Sequence, residues 1–555
     1  MKSFKSTMIN YSIASRNPVS QYIQITLCVP VKHLSPVRLQ LPAWRAGRYQ
    51  LANYVQNIRN LQVLSPNGEP ISTSKLIKDL WEFIPDHVGE YHVCYEYYCA
   101  KMDAGSCWVD DEQIYLNFVN CCFEVEGRAD EKIKIEVSYP PHFQICTTLP
   151  TENNEFIASN FQQLADSSFL ASSRLTHDSF EVSEVNFHLW FHGNAYFDLA
   201  RFKENIKQFT EKQIEAFGEF PEAEYHFIYL LLPYSHYHGV EHQRGTVITF
   251  GSEESLKEHE HMNELMGVSC HELYHAWNVC QIRPREILPY DFSKEAYHKA
   301  GWMVEGVTTY MGDLFLLRSG YFSLKEYCQT FEKVLNRESV NFGWQNQSIL
   351  ESSFDLWIDG YTAGIPDKKV SIYTHGALIA FCLDAMLLDE NSSLHQVMKI
   401  LWKRFGKPKI GYTLEDVWEV VLSQTNHPIY FNQFYEDYIA GKEDIFPVVE
   451  KHLASLGFDI TTKEKEDELS SAFGIVQLAE GKINKLHPAS EAYTKLMVGD
   501  LVKTQELHTH GLKLSINRFG RDLEVELQIT NTLYFKDYVL LDKKNNPKRD
   551  IWINV

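Results

Sequence analysis

The chain has 555 residues, of which 44% are hydrophobic and 23% charged, so it can form several folded domains and is not a mainly disordered protein. Its 52 basic and 73 acidic side chains give a formal net charge of −21, so we expect no nucleic acid and no anionic membrane surface as partner. No apolar run reaches the roughly 18 residues of a membrane-spanning helix, and the first residues show no secretory signal. Eleven cysteines at this low density favour free thiols and a cytoplasmic location.

Residues 1–190 are predicted to form an N-terminal β-sandwich-like domain. Apolar and polar side chains alternate in residues 22–29, which predicts a strand with one buried face. The same alternation recurs in residues 91–97 and 133–139, and turn signals such as Pro-Asn-Gly at residues 66–68 separate these segments. A series of strands with few helical stretches favours a layered β domain.

From residue 191 to residue 460 the hydrophobic period becomes helical, after short strands near the beginning. Capping-box spacing predicts two helix starts, one at Ser323 and one at Thr413. Amphipathic helices are predicted over residues 393–405 and 431–440. We therefore expect a mostly helical second domain, which makes the whole chain a multidomain α+β protein.

A charged stretch at residues 461–468 predicts a linker to a last domain, residues 466–555. The pattern there returns to short strands, at residues 475–478, 501–503 and 523–529, with a short helix after Pro488.

An HExxH motif, HELYH at residues 271–275, carries the chemistry of the second domain. On a helix, His271 and His275 stand one turn apart on the same face, as two imidazoles that share a metal must. Glu272 lies beside them, placed to take a proton from water. No Gly or Pro interrupts residues 268–282, so we predict one buried helix there. The alternative is a pair of helical histidines packed in a core.

A third metal ligand is expected because catalytic zinc binds three protein ligands and keeps one position open. Glu305 is the one acid in the apolar segment 301–310. A carboxylate on an apolar helix face costs free energy unless it is paired or binds a metal. Glu305 is therefore the candidate, and the alternative is a glutamate that bonds a neighbouring Thr or Tyr.

Three other groups near the motif are not expected to bind this metal: His259 with His261; His236, His238 and His242; and Cys270. The first pair flanks an acid on a polar stretch that is typical of a solvated face. The histidine trio lies in a Gly-containing loop that could line the site. The cysteine points away from the shared face of the motif histidines and is expected in the core.

These motifs resemble those of the glycyl aminopeptidase family of zinc peptidases, a gluzincin family with a C-terminal PDZ domain. The motif runs on as HELYHAWNV, residues 271–279, and WMVEGVTTY at residues 302–310 is similar to the family's Trp-x-x-Glu-Gly-x-Thr-x-Tyr segment. The resemblance implies a thermolysin-like catalytic domain with one Zn²⁺ per chain, held by His271, His275 and Glu305.

The resemblance extends over most of the chain. LPAWRAGRY at residues 41–49 is similar to the family's Pro-x-Trp-x-Pro-Gly-x-Tyr element, with Ala46 in place of its second Pro. GVEH at residues 239–242 is similar to a Gly-Leu-Glu-His turn that lines the cleft. SIYTHGAL at residues 371–378 resembles a Tyr-x-Lys-Gly-x-Leu segment, with His375 in place of the Lys.

The last block resembles a PDZ domain, with FGI at residues 473–475, HPA at residues 487–489 and VGDLV at residues 498–502. This resemblance implies that residues 466–555 bind peptide C-termini.

The resemblance implies an aminopeptidase that removes small N-terminal residues, Gly or Ala, from peptides. Glu272 would then be the general base, and Tyr373 would donate a hydrogen bond to the oxyanion. Glu241, in the turn that begins at Gly239, would anchor the substrate amine. The alternatives are a core tyrosine at residue 373 and a turn carboxylate bonded to backbone amides at residue 241.

Two other functions remain open. One is a zinc endopeptidase, in which Glu241 has only a structural role. The other is a PDZ-type peptide-binding protein with a vestigial zinc site. The complete set of His271, Glu272, His275 and Glu305 argues against the second, because loss of any one of them would be enough for inactivity.

Overall fold

The N-terminal region of the computed structural model is built almost entirely from strands. The model describes residues 8–153, 155–362, 364–465, 467–543 and 546–554. The strands of this region are β1 (Ile9–Asn17), β2 (Tyr22–Val31), β3 (Val37–Gln40), β4 (Ile58–Leu64), β5 (Pro70–Ile71), β6 (Thr73–Ile77), β7 (Leu80–Phe83), β8 (Gly89–Tyr98), β9 (Trp108–Val109), β10 (Gln113–Asn117), β11 (Glu124–Val125), β12 (Ile133–Ser138), β13 (Gln144–Thr147), β14 (Thr151–Glu152), β15 (Glu155–Ala158) and β16 (Ser168–Ser172). Two short helices, α1 (Phe118–Cys121) and α2 (Phe161–Ala165), accompany them.

Three sheets share one apolar core in this region. The largest has the order β14-β15-β12-β1-β2-β8-β4-β5, and the others have the orders β13-β16-β10-β9 and β11-β3-β7-β6. The alternation predicted for residues 22–29 is confirmed, because Ile23, Ile25 and Leu27 are buried on one face of β2. The predicted strands at 91–97 and 133–139 correspond to β8 and β12. The N-terminal region is thus β-rich, as expected.

The second region combines one sheet with many helices. Its strands are β17 (Leu175–Val182), β18 (Val185–His192), β19 (Glu224–Leu232), β20 (His236–His242) and β21 (Gly245–Gly251). Its α-helices are α3 (Leu199–Phe217), α4 (His259–Tyr274), α5 (Val307–Arg318), α6 (Leu324–Glu338), α7 (Ile349–Phe354), α8 (Leu356–Asp359), α9 (Thr374–Asp389), α10 (Leu394–Leu401), α11 (Leu414–Leu422), α12 (Pro428–Phe434) and α13 (Phe446–Ser455). Single π-helical turns occur at Trp302–Gly306, Trp402–Gly406 and Tyr435–Ile439.

The sheet of the second region begins earlier than the predicted boundary at residue 190. Its order is β17-β18-β19-β21-β20, with β18 parallel to β19 and β20 antiparallel to β21 at the edge. β17 and β18 therefore belong to this sheet rather than to the N-terminal region. Their pattern of alternation could not show this, because it identifies a strand but not the sheet that the strand joins.

Local helix signals of the second region agree with the structure. Ser323 and Thr413 each form a complete capping box, at the starts of α6 and α11. The amphipathic segments at 393–405 and 431–440 form α10 and α12, and each helix continues into a π-helical turn. Within the described residues, no helix combines the length and apolar character that crossing a membrane requires.

The C-terminal region consists of short strands and helices. Its strands are β22 (Phe458–Glu464), β23 (Ile475–Gln477), β24 (Ile483–Leu486), β25 (Leu501–His508), β26 (Gly511–Arg518), β27 (Arg521–Gln528) and β28 (Lys536–Asp542). Its helices are α14 (Glu468–Phe473), α15 (Ala492–Lys495) and α16 (Pro547–Asn554). Side chains from residues 469–527 form a small separate core, which fits a compact unit, and its assignment as a PDZ domain remains a prediction.

The linker predicted at residues 461–468 is wrong for its first four residues. Residues 461–464 lie in β22, which pairs antiparallel along its whole length with β28. α14 begins at Glu468, and residue 466 lies outside the described residues. The chain leaves the second region in β22 and returns to it in β28, because Leu540 and Trp552 are buried in the core of that region.

The C-terminal helix α16 packs against the core of the second region. Trp552 is 2% exposed, and its indole N–H lies 2.9 Å from the Tyr310 hydroxyl, which in turn bonds Asp384 at 2.6 Å. Tyr310 ends the segment that carries Glu305. The last residues of the chain therefore support the helix that follows the candidate metal ligand.

We predict that Trp552→Ala destabilises the second region by roughly 3–5 kcal/mol, the usual cost of removing a buried Trp. Calorimetric thermal unfolding measures the change. Ile551→Ala on the same helix is the control, because Ile551 is 53% exposed and its truncation should cost less than about 0.5 kcal/mol. Equal unfolding temperatures for the two variants would contradict this role of α16.

Candidate active site

The two histidines of the HExxH motif lie at the C-terminal end of α4. The Nε2 atoms of His271 and His275 are 3.0 Å apart, so both rings face the same point. The helix ends at Tyr274, and the prediction of one helix through residue 282 is wrong.

Asn278 provides the physical reason for the early end of α4. Its carbonyl accepts a hydrogen bond from Nδ1 of His275 at 2.6 Å, and its side-chain amide donates to the Met303 carbonyl at 2.8 Å and the Thr308 hydroxyl at 3.1 Å. These tertiary bonds outweigh the local helix propensity. The bond from Nδ1 also fixes the ring of His275 with its Nε2 atom directed toward Glu305. Sequence reasoning gave Asn278 no role, although a polar residue in an apolar stretch was a signal.

Glu305 reaches the histidines from the π-helical turn Trp302–Gly306, which leads directly into α5. Its Oε2 atom lies 3.4 Å from Nε2 of His275 and 3.7 Å from Nε2 of His271. One ligand atom from each of the three residues lies within 4.8 Å of the other two. Glu305 is only 2% exposed, so the group is a buried one.

The charges around this trio are unbalanced. Burial raises the pKa of Glu305, but His275 and His271 outweigh it and bring that pKa down to about 2. Burial lowers the pKa of His275, but Glu305, Glu241 and Glu272 outweigh it and raise that pKa to about 10. The pocket thus favours an added positive charge. Two imidazoles and one carboxylate around such a pocket are a suitable donor set for a divalent metal ion.

A backbone contact between two glycines sets the position of Glu305. A Cβ atom on Gly306 would overlap the backbone of Gly376 in α9, and a Cβ on Gly376 would overlap the backbone of Gly306. Only glycine at both positions allows the π-helical turn and α9 to approach this closely. The contact brings the start of α9, and with it Tyr373, to the same cleft as Glu305.

Tyr373 is the N-cap residue of α9 and lines the cleft. Burial raises the pKa of its phenol well above the usual value, and the nearby charge of Glu305 adds to the shift. Its hydroxyl also interacts with the hydroxyl of Tyr361. The Tyr373 phenol is therefore protonated at neutral pH and can donate a hydrogen bond. Sequence reasoning missed Tyr361, which lies in an irregular loop and has no motif.

His375, which takes the place of the family's Lys, does not face the cleft. Its Nδ1 atom lies 2.9 Å from a carboxylate oxygen of Glu338, and the other oxygen of Glu338 accepts a hydrogen bond from the Thr374 hydroxyl. Both His375 and Glu338 are buried. In this chain His375 therefore connects α9 to α6 through its contact with Glu338.

The edge strand β20 runs beside α4 and carries Gly239 and Glu241. Residues 239–242 were expected in a turn, but they belong to this strand. A Cβ on Gly239 would overlap Oε1 of Glu272. Burial raises the pKa of Glu272 to about 8, with smaller increases from Glu241 and Glu305, and its Oε2 has no hydrogen-bond partner among the described residues. Glu272 is thus a buried carboxylate, and Gly239, which has no side chain, leaves the space beside it free.

Glu241 lies two residues after Gly239, on the same face of β20. It is 6% exposed, burial raises its pKa, and in the described part of the chain its buried Oε1 has no hydrogen-bond partner. This argues against a carboxylate satisfied by turn amides.

A loop from the N-terminal region closes over the other side of Glu241. Gly47 packs directly against the Glu241 carboxylate. Trp44 anchors this loop, because its indole N–H donates to the Asp291 carbonyl at 2.8 Å and its ring meets Trp357 edge-on at 5.2 Å. The LPAWRAGRY segment thus joins the two regions at the cleft.

The remaining histidines and Cys270 lie outside the trio, as expected. The exposed His259 bonds Glu326 at 2.6 Å. His238 lines the cleft beside Arg45, and burial together with Arg45 lowers its pKa to about 3. Cys270 is buried and accepts a hydrogen bond from Gln213.

The cleft has a volume of about 950 Å³ and contains every one of the predicted site residues: Gly239, Glu241, His271, Glu272, His275, Glu305 and Tyr373. It brings together a metal-ligand trio, an unpaired carboxylate beside it, a second unpaired carboxylate further along the edge strand and a protonated phenol. Such a set can bind a metal, move a proton and hold a cationic group.

Comparison with known proteins gives matches to family models and to solved structures. The model described as the Peptidase M61 N-terminal domain matches residues 10–173, and the model described as M61 glycyl aminopeptidase matches residues 264–379. Together they match just over half of the chain. The search of the curated proteins gives no match.

Two solved structures represent the structural matches. An aminopeptidase N family protein from Idiomarina loihiensis has a TM-score of 0.90 and 25% identity, over 99% of this chain and 100% of that chain. An M1 zinc metallopeptidase from Deinococcus radiodurans, bound to a Tyr-Ser-Ala substrate, has a TM-score of 0.48 and 14% identity, over 79% of this chain and 94% of that chain.

The second family model spans the HExxH motif, Glu305 and Tyr373. The first family model spans the N-terminal strands and the loop that contains Trp44. The resemblance inferred from the motifs is therefore confirmed for these two regions, and the chain belongs to the M61 family of glycyl aminopeptidases and is a metallopeptidase.

Proposed function

We propose that this metallopeptidase is a zinc aminopeptidase that removes single residues from the N-termini of peptides. The observation that carries the proposal is the buried trio of His271, His275 and Glu305 with the unpaired carboxylate of Glu272 beside it. The unpaired, buried Glu241 on the same edge strand supports an enzyme that recognises a free amine.

Zinc fits this donor set. Two imidazoles and one carboxylate are three protein ligands, the number that catalytic zinc binds while it keeps one position for a reactant. The raised pKa values of Glu272 and His275 show that the pocket favours positive charge, which a divalent cation would supply in place of these protons. When bound, zinc supplies Lewis acidity that polarises the scissile carbonyl and acidifies water.

Glu272 is the proposed general base. Its carboxylate takes a proton from the attacking water and passes it to the nitrogen of the leaving peptide. Because burial raises its pKa, the carboxylate is more basic than an exposed glutamate and holds the transferred proton long enough to deliver it. Gly239 contributes by leaving the space next to Glu272 free of a side chain.

Tyr373 is the proposed donor to the oxyanion. Its raised pKa keeps the phenol protonated, so it can donate to the carbonyl oxygen as negative charge develops there.

Glu241 is the proposed anchor of the substrate amine. A free N-terminus is a cation with three donors, and a buried carboxylate with an unpaired oxygen offers it a charge-assisted hydrogen bond. β20 lies at the edge of its sheet, so an extended peptide can lie along its free side near Gly239. The preference for small residues, Gly or Ala, rests on the family resemblance alone.

The other readings receive less support. An endopeptidase has no use for the unpaired Glu241, and a vestigial site would have no need for a complete set of ligands and base.

We further propose that residues 467–535 bind peptide C-termini, as a PDZ domain would. This second proposal is supported by the separate core and by the segment around Gly474, whose φ of 69° ends α14 before β23.

Glu272→Gln tests the base. The change keeps the size of the side chain and leaves the three ligands intact, so zinc should stay bound while kcat falls by roughly 10²- to 10⁴-fold. Metal content and peptidase rate are measured on the same preparation. Glu211→Gln, on the surface of α3, is the matched control and should change neither. Full activity of the Glu272 variant with full zinc would exclude this role.

Glu305→Ala tests the third ligand. Zinc held by two imidazoles alone should be lost on dialysis against a mild chelator, whereas the unaltered chain should keep it. Glu241→Ala is the matched control, because it removes a buried carboxylate from the same cleft and should leave zinc in place. If Glu305→Ala keeps its zinc and Glu241→Ala does not, the assignment of the ligand is wrong.

A matched pair of peptides tests the amine anchor. One peptide has a free N-terminal Gly or Ala, the other is acetylated, and products are identified by mass spectrometry. Acetylation removes the charge that Glu241 binds and should abolish cleavage. For the free peptide, Glu241→Gln should lower kcat/KM by roughly 10- to 100-fold, as loss of a charged hydrogen bond does. Equal cleavage of both peptides at internal bonds would favour the endopeptidase.

A further inference from the structure

We propose that the N-terminal region binds a second divalent metal ion, of the zinc class, on the outer face of its large sheet through Cys28, Glu90 and His92. One ligand atom from each of these residues lies within 4.8 Å of the other two. The site lies on β2 and β8, outside the catalytic cleft, and is independent of the proposed peptidase function.

The sheet register holds the three side chains on one face. Cys28 on β2 lies directly opposite His92 on β8, and Glu90 lies two residues before His92. Directly opposite residues and residues two apart point to the same side of a sheet. The intervening residues of both strands, such as Leu27 and Val93, are buried in the core on the other side. The backbone of the site is therefore rigid.

The distances suit a tetrahedral ion. Sγ of Cys28 lies 3.2 Å from Nδ1 of His92. A zinc ion with ordinary Zn–S and Zn–N bond lengths separates two such atoms by about 3.6 Å. A carboxylate oxygen of Glu90 lies 3.8 Å from Nε2, the other ring nitrogen of His92, so Glu90 must change its side-chain rotamer to bind an ion held by Sγ and Nδ1. All three side chains are partly exposed, which leaves a path for the ion from solvent.

Cys28 binds a metal ion only as a thiolate. When a divalent ion binds, the S–H bond breaks, a metal–sulfur bond forms and the proton passes to solvent.

A fourth polar group lies in the same row of the sheet. Asn10 on β1 is directly opposite Cys28, and the buried Oδ1 of Asn10 has no hydrogen-bond partner in the described ranges. An amide oxygen can bind such an ion or accept a hydrogen bond from its water. The ion would thus satisfy an atom that the protein leaves unpaired.

Among the described residues, a third group with metal-ligand side chains, His188 with Glu224 and His226, already has partners within the protein. Arg244 pairs with Glu224, and the Trp190 indole donates to Nδ1 of His226 at 3.1 Å. A neutral His226 that accepts at Nδ1 carries its proton on Nε2, which excludes Nε2 as a ligand.

Cobalt spectroscopy of the full chain tests the proposal. The protein is freed of metal with a chelator and titrated with Co²⁺. A thiolate bound to Co²⁺ gives an intense near-ultraviolet charge-transfer band, which the catalytic trio cannot give because it contains no sulfur. We expect one equivalent of band-forming Co²⁺, displaced by Zn²⁺. We also expect loss of the band in Cys28→Ser and in His92→Ala, each with unchanged peptidase activity.

Cys94→Ser is the matched control. Cys94 is the other partly exposed cysteine of the described residues and lies on the same face, opposite Thr26. Its variant should keep the band. Absence of the band in the unaltered chain, or a band that survives Cys28→Ser, would overturn the proposal. Neither result bears on the catalytic trio, whose zinc content is measured separately in the Glu305 variant.

Discussion

The charge of Glu305 lies inside the largest apolar core of the protein, and its compensation determines how the catalytic region is arranged. Its neighbours Trp302, Met303 and Val304 are buried, so the carboxylate is shielded from bulk water on the side of the core. An unpaired charge in such a place costs several kcal/mol. The two imidazoles at the end of α4 lie 3.4 and 3.7 Å away and reduce this cost. Glu241 and Glu272 then add two more buried carboxylates to the pocket. A divalent cation would remove the imbalance, and its binding would therefore stabilise the fold of this region as well as serve the reaction.

Close backbone contacts let the apolar helices bring these charges together. Gly306 against Gly376 joins the π-helical turn to α9, and Asn278 joins the end of α4 to the same turn through hydrogen bonds to Met303 and Thr308. The first contact positions Glu305 relative to α9, and the second positions His275 relative to the π-helical turn. The helices themselves are buried nearly all round, so packing alone would permit several rotations about their axes. Short polar and glycine contacts select one of them.

The sequence predicts the local features well and the long-range ones poorly. β2, β8, the capping boxes and the shared helix face of His271 and His275 follow from periods and spacings that a few neighbouring residues define. The membership of β17 and β18 in the second sheet depends on parallel pairing of β18 with β19, across the whole of α3. The pairing of β22 with β28 spans more than seventy residues. Asn278 ended a helix that local propensity would continue. In each case the outcome depends on hydrogen bonds between distant residues, which a local pattern does not contain.

The two groups of candidate metal ligands differ in their surroundings, and the surroundings determine what a bound ion could do. The trio of His271, His275 and Glu305 lies at the bottom of a cleft that also holds a base, a donor and a second carboxylate, so an ion there can meet a substrate. Cys28, Glu90 and His92 lie on the outer face of a regular sheet, outside the cleft that contains the trio. An ion at this place would tie β2 to β8 and neutralise a thiolate and a carboxylate. The same ion would therefore serve catalysis in one region and stability in the other, because the surrounding protein, rather than the ligands alone, determines which chemistry is available.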